Sequence, residues 1–375
     1  VSRTSVSFGL LAARLYRFVN GCSVLAGRSP SDLCRSPIPV VPSLRPGDVP
    51  RRRECVLSMS DLSIPHELRS RLATTARPVT ADEIWRYSRI DDLDLGSYSG
   101  IVDAPVTSTR PSAGVRASEP IVPADRDVFC ALVDVVAAPL VLRADRNEVV
   151  SEPVQVVHDL TSSDGCVSVA RLVIEAAEGS ELTVIHHVRS DDVTGLFLPI
   201  VEMDLAPTAR VRYVVVQELG PRMVQIASQG ARTRRDASLA TMAVALGGSY
   251  ARLRSDAEML ERGGHNEALA VYFGEGEQMH DFRTVQHHVA PRTTSDLVFK
   301  GAVEGHARSV YSGLIKIGPD ARGTVASQTN RNLVLSRTAS AESVPNLEIE
   351  NNDVKCSHAS AVGPIDDEQL YYLES

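Results

Sequence analysis

From about Val128 onward, apolar and polar residues alternate with the two-residue period of strands. The clearest runs are Val167-Ser168-Val169-Ala170-Arg171-Leu172-Val173-Ile174, Leu182-Thr183-Val184-Ile185 and Val211-Arg212-Tyr213-Val214-Val215-Val216. Turns of small or charged residues precede them. Gly179-Ser180-Glu181 leads into Leu182, Pro207-Thr208-Ala209-Arg210 into Val211, Asp236-Ala237-Ser238 into Leu239, and Gly264-His265-Asn266-Glu267-Ala268 into Leu269. These four strand starts are 29, 28 and 30 residues apart. Later equivalents, Val310 and Val325, are less regular. One turn-and-strand unit per repeat predicts a β-solenoid, in which coils must stack because none can bury its apolar face alone. A β-sandwich also spaces strands with regular turns, and periodicity leaves it open.

Upstream the period changes. Residues 60–90 read as helical, with Ile64, Leu68 and Leu72 on one face. Thr80-Ala81-Asp82-Glu83 reads as a capping box opening a helix that carries Ile84, Trp85 and Tyr87. Residues 91–125 are a Gly/Pro/Ser-rich connection.

Charge sets the first segment apart. Residues 1–58 hold nine Arg, no Lys and three acids, a net of +6, so the other 317 residues carry −14 of the total −8. The segment is read as a transit peptide or as sequence ahead of a true start at Met59, and is set aside from fold reasoning. A secretory signal fits worse, because Arg14 and Arg17 interrupt its apolar run. The expected organisation is 1–58 as that extension, 59–125 as a helical region and connection, 126–365 as the β core, and 366–375 as the start of a C-terminal helical region.

Composition excludes some functions. No run of about 18 apolar residues predicts a membrane-spanning helix. A net charge of −8 and a single Trp argue against nucleic-acid binding. The six Cys (Cys22, Cys34, Cys55, Cys130, Cys166 and Cys356) form no CxxC pair, and a disulfide framework is not expected. A reducing cytoplasm is the expected compartment.

Standard catalytic signatures are missing: GxxxxGK[ST], GxSxG and HExxH do not occur. Gly274-Glu275-Gly276 lacks a third Gly in register, and its acidic neighbours would repel a pyrophosphate. In a strand, the paired His186-His187 and His287-His288 would each point one ring in and one out. Cys356-Ser357-His358 differs, because residues i and i+2 share a face. A thiolate beside an imidazole suits iron, copper or zinc, yet supplies only half a tetrahedral site. A buried Cys beside a hydrogen-bonded His is the plainer reading of the same spacing.

The C-terminal stretch adds context. Phe299-Lys300-Gly301, Ala307-Arg308-Ser309-Val310-Tyr311-Ser312-Gly313, Gln328-Thr329-Asn330-Arg331-Asn332-Leu333-Val334-Leu335-Ser336, Asp353-Val354-Lys355-Cys356-Ser357-His358, Val362-Gly363 and Asp367-Glu368-Gln369-Leu370-Tyr371-Tyr372-Leu373 resemble the SufB/SufD family of iron–sulfur cluster assembly scaffolds. Glu83 with Trp85-Arg86-Tyr87 resembles its N-terminal motif. The SufB branch places its sulfur-acceptor Cys where Asn330 stands here, and Lys-Cys-Ser-His resembles SufD, so the resemblance is to the SufD branch.

That resemblance implies a right-handed parallel β-helix flanked by helical segments. It implies a non-enzymatic scaffold that pairs with SufB and takes two copies of the SufC ATPase; a homodimer without SufB stays open. A transient cluster would form at the SufB–SufD interface, with His358 as ligand by motif position and Cys356 as the secondary candidate. A reduced flavin is associated with the family complex, with no residue here to place it. Family members continue past the position of Ser375 into a helical region that docks SufC, so the sequence reads as truncated or unable to recruit SufC. Two rivals remain. A polysaccharide-cleaving β-helix lacks the dense acidic cluster it needs. A purely structural partner of SufB would use Cys356 and His358 for packing.

Overall fold

Successive strands alternate between two sheets, so each coil lays one strand in each sheet and the next coil stacks on it in parallel. The computed structural model describes residues 57–58, 75, 78–364 and 371–372. The chain divides into units Val1–Cys55 and Val56–Ser375, and every described residue belongs to the second. The first sheet stacks Gly100–Asp103, Cys166–Ala176, Gly195–Leu205, Met223–Thr233, Tyr250–Met259, Met279–His288, Arg308–Ile317 and Ser340–Ile349. Pro139–Ala144 lies alongside Cys166–Ala176. The second sheet stacks Val154–Asp159, Glu181–Arg189, Arg210–Glu218, Ser238–Ala245, His265–Gly274, Thr294–Val303, Thr324–Val334 and Val354–Pro364. The result is a parallel β-solenoid of about 8 turns, not a sandwich.

The sequence period is real but only partly in register. Leu182, Val211 and Leu239 are ladder neighbours. Leu239, however, pairs with Asn266 rather than Leu269. Val310 and Val325 lie in different sheets, which is why they looked irregular.

One corner of each coil from Pro139–Ala144 to Arg308–Ile317 uses a left-handed residue. Asn147, Thr208, Asp236 and Arg292 have φ of 59°, 61°, 55° and 55°, and Gly179, Gly263 and Gly323 serve the other coils. Each turns the chain from the first sheet to the second and aims its N–H along the stack. Gly179 donates to the Pro207 carbonyl (3.1 Å), Thr208 to Arg235 (2.8 Å) and Asp236 to Arg262 (3.1 Å). Left-handed backbone strains L-residues, and β-branched Thr208 most of all. Thr208→Gly is expected to stabilise the fold by about 0.5–1 kcal/mol after glycine's own entropic penalty. Gly263→Ala is expected to destabilise it, because a Cβ there would strike the Asp236 carboxylate. Denaturant midpoints of the two variants check the pair; equal shifts would contradict it.

The outer face of the first sheet is covered by the connection before it. Val167, Val169, Leu196, Leu198, Ile200 and Ile226 face outward and pack under helix α1, Val128–Val136, together with Trp85 and Val122. The strand pattern read from Val128 is here corrected. Asp127 caps this run by accepting from the Cys130 N–H (2.9 Å), and its apolar residues serve a helix lying on the sheet. Outward carboxylates hold the rest of the connection. Glu202, fully buried, accepts from the Ile121 and Val122 N–H groups and from Arg116 and Arg171. Glu175 accepts from the Ala117 and Ser118 N–H groups and from Arg143.

The expected capping box does not form. Glu83–Trp85 is a single 3-10 turn, Asp82 makes no side-chain cap, and the Thr80 hydroxyl donates to Asp91 instead (2.6 Å). Tertiary contacts take the carbonyls that a helix would have used. Buried Arg252 donates to the Ile84 carbonyl (2.7 Å) and lies over the Trp85 ring at 3.9 Å. Arg283 donates to the Arg86 carbonyl (2.5 Å), and Tyr87 turns left-handed at φ 65°. Asp281, fully buried, accepts from Arg252 (2.5 Å), Arg283 (2.6 Å) and Tyr250 (3.0 Å). The helical reading of Ile64, Leu68 and Leu72 lies outside the described residues. Of the expected C-terminal helical start, Tyr371 and Tyr372 are described and are helical.

Candidate functional site

Among the described residues, no coil is stacked on the last coil of the solenoid. Val354–Pro364 pairs with Thr324–Val334, and Ser340–Ile349 with Arg308–Ile317; among the described residues no further coil follows, leaving the other edge of each strand free. Register decides where the side chains point. Cys356, His358 and Ser360 pair with Ala326, Gln328 and Asn330, which face the interior and are buried at 2%, 1% and 1% exposure. Side chains alternate along a strand, so all three project into the bore. His358 is nevertheless exposed and Cys356 half-buried, because no described strand is stacked above them.

The end of the bore has two halves. Cys356 sits on the apolar half, packed with Ile315, Ile317, Ala321, Ala326, Leu347 and Val354. Burial raises its thiol pKa, so it enters metal chemistry less readily as a thiolate. His358 stands over the polar half. Beneath it the Gln328 amide accepts from the Tyr311 hydroxyl (3.5 Å) and donates to the Gly313 carbonyl (3.4 Å). Deeper still, Tyr272 donates to Asn332 (2.5 Å) and Asn330 donates back to Tyr272 (3.2 Å).

The motif glycines make this network possible. A Cβ on Gly301 would overlap the Tyr272 ring, and one on Gly313 would strike the Tyr311 hydroxyl and the Gln328 amide. Sequence reasoning missed this network. Its signal was present, since Gln328, Asn330 and Asn332 repeat at i+2 where an interior strand would carry Val or Leu.

Both histidine pairs behave as strand geometry predicts. His186 is buried while His187 reaches Glu218 (2.5 Å). His288 is buried between the Thr293 and Ser295 hydroxyls (2.8 and 2.9 Å), and His287 is half-exposed. Cys130 is a core residue whose thiol burial pushes up to about 12. Among the described residues no group of three or more His, Cys, Asp or Glu is placed to hold a metal. Cys356 and His358 thus share a face but form at most half a site, and His358 has no hydrogen-bond partner among the described residues. An exposed, unpartnered imidazole can donate a ring nitrogen to a borderline metal brought by another surface.

Comparison with known proteins bears on this end of the chain. Residues 159–375 match the SufBD core domain of the SUF system of iron–sulfur cluster assembly. An iron–sulfur cluster assembly SufBD family protein of Mycobacterium tuberculosis is 34% identical over 319 residues, covering 80% of this chain and 79% of that protein. A SufBD family protein of Mycobacterium leprae is 32% identical over 320 residues, 80% of each chain. The iron–sulfur cluster assembly protein SufD of Escherichia coli is 30% identical over 206 residues, 54% of this chain and 48% of SufD.

Proposed function

The chain belongs to the SufBD family of iron–sulfur cluster assembly proteins, and on that premise we propose that it is a SufD-type scaffold subunit presenting His358 to an iron species or nascent cluster. The observation that carries this reading is the inward-facing, exposed His358 ring on the last described coil of the solenoid. Half a site suffices there if a second chain brings the other half. The free edges of Ser340–Ile349 and Val354–Pro364 suit strand addition by a partner of similar fold, which would place that partner's side chains over His358. A SufB-type chain is the proposed partner, and a SufC-type ATPase supplies the nucleotide chemistry for which this chain carries no P-loop. The cytoplasm is the compartment in which this assembly is placed.

In this reading the protein performs no bond chemistry of its own. His358 offers a ring nitrogen to iron, Gln328 and Tyr311 give the bore a polar floor beneath it, and Cys356 packs the apolar wall. Cys356 is therefore ranked below His358 as a ligand. A purely structural role, in which this end only stabilises the partner, is the competing reading.

The two are separated by anaerobic co-expression with SufB and SufC, measuring iron and acid-labile sulfide in the purified complex. His358→Ala is expected to lower both at least several-fold with subunit stoichiometry unchanged, and Cys356→Ala to lower them much less. Wild-type iron and sulfide in an intact His358→Ala complex would favour the structural role.

A further inference from the structure

Between the aliphatic core of the early coils and the aromatic core of the later ones, the interior of the solenoid is underfilled. Ala227, Ala243, Ala245 and Ala251 face inward beside ladder neighbours with larger side chains, respectively Leu253, Val215, Gln217 and Gln225. They leave a cavity with about 40 Å³ of room for water centres. A water needs about 10–15 Å³, so the space accommodates roughly three to four.

Volume alone does not decide whether such a space is wet; its polar groups do. Gln225 and Gln229 line it from one strand, four residues apart and therefore on the same inward face. Gln225 Oε1 is buried without a hydrogen-bond partner. Gln229 is 5% exposed, and its amide has no partner among the described residues. Tyr213 lines the same space from the opposite sheet. It ends a buried chain in which His158 Nδ1 meets His186 Nε2 (2.7 Å) and His186 Nδ1 meets the Tyr213 hydroxyl (2.7 Å).

That chain has a polarity to complete. If hydrogens run from His158 toward Tyr213, the tyrosine O–H must donate into the cavity. If they run the other way, its oxygen has a lone pair there to fill. Buried amides and hydroxyls left unpaired are strongly disfavoured.

We propose that the cavity is a hydration site holding a cluster of roughly three to four ordered waters, bridging Gln225, Gln229 and the Tyr213 hydroxyl. The cluster lies inside the coils, apart from the His358 end, and does not depend on how that end functions. It gives the solenoid a wet joint between two dry cores.

A high-resolution crystal structure of the full chain, with and without xenon pressurisation, tests this. Ordered water density within hydrogen-bond distance of Gln225 Oε1, the Gln229 amide and the Tyr213 hydroxyl is expected, with no xenon entering. Gln229→Met is expected to lose the water on that amide while the one on Gln225 stays. Xenon density, an empty cavity, or side chains collapsed into the space would each overturn the proposal.

Discussion

Lowering the pH from 7 to 5 is expected to remove a large part of this protein's stability. Four histidines are buried in the solenoid: His158, His186, His280 and His288. Burial lowers the pKa of His158, His280 and His288 to about 4 and holds His186 well below the ordinary value of 6.5. Between about pH 6.5 and 4 the unfolded chain therefore binds protons that the folded chain refuses. Stability rises with pH across that window, is fully present above it, and is lost as pH falls through it. At about 1.4 kcal/mol per pH unit for each group, each of the three near 4 gives up roughly 2 kcal/mol by pH 5. Together they remove about 6 kcal/mol from a fold whose stability is of order 5–15 kcal/mol, and His186 acts in the same direction. Denaturant unfolding at pH 7 and pH 5 measures this directly. A midpoint unchanged across that range would show that these rings are not held neutral.

The second large effect concerns the segment that resembles the family's N-terminal motif. Asp281→Ala is expected to destabilise the protein by about 3–5 kcal/mol, because it leaves Arg252 and Arg283 as buried charges without their carboxylate. The loss should spread to the strap. Arg252 lies over Trp85, and both arginines hold carbonyls of the Glu83–Arg86 segment. Trp85 fluorescence should shift to the red under conditions where the core still holds. Less than about 1 kcal/mol of destabilisation, with an unmoved Trp85 signal, would mean that the strap is held by its apolar contacts alone.

The same residues explain what could and could not be read from the sequence. Strand alternation and the turn residues pointed to the solenoid without excluding a sandwich; what made it legible is the turn chemistry that recurs at the stacked corner holding Gly179, Thr208 and Asp236. The exact coil length did not emerge, since loops vary and Leu269, a plausible strand start, sits three places beyond the true ladder neighbour Asn266. Residues 128–136 read as strand because local composition is blind to the sheet beneath. The Glu83 turn read as a helix start because no local rule shows Arg252 and Arg283 arriving from distant strands to take its carbonyls.

At the candidate site the i, i+2 spacing correctly put Cys356 and His358 on one face. It could not rank them. The family resemblance put His358 first, and the proposal keeps that order because Cys356 packs the apolar half of the bore. Many of the motif residues that carry the family resemblance, such as Gly301, Gly313, Tyr311 and Asn332, serve the buried network beneath His358 rather than contact anything outside.

The central claim, that His358 offers a ring nitrogen to the cluster cargo, is tested most directly by pulsed EPR of the reduced, cluster-loaded complex. The complex would be assembled with this chain alone carrying ¹⁵N-histidine. A ¹⁵N coupling of the size expected for a directly ligated imidazole, lost in His358→Ala, is the predicted result. A loaded complex with no histidine coupling, or one whose coupling persists in His358→Ala, would contradict the account.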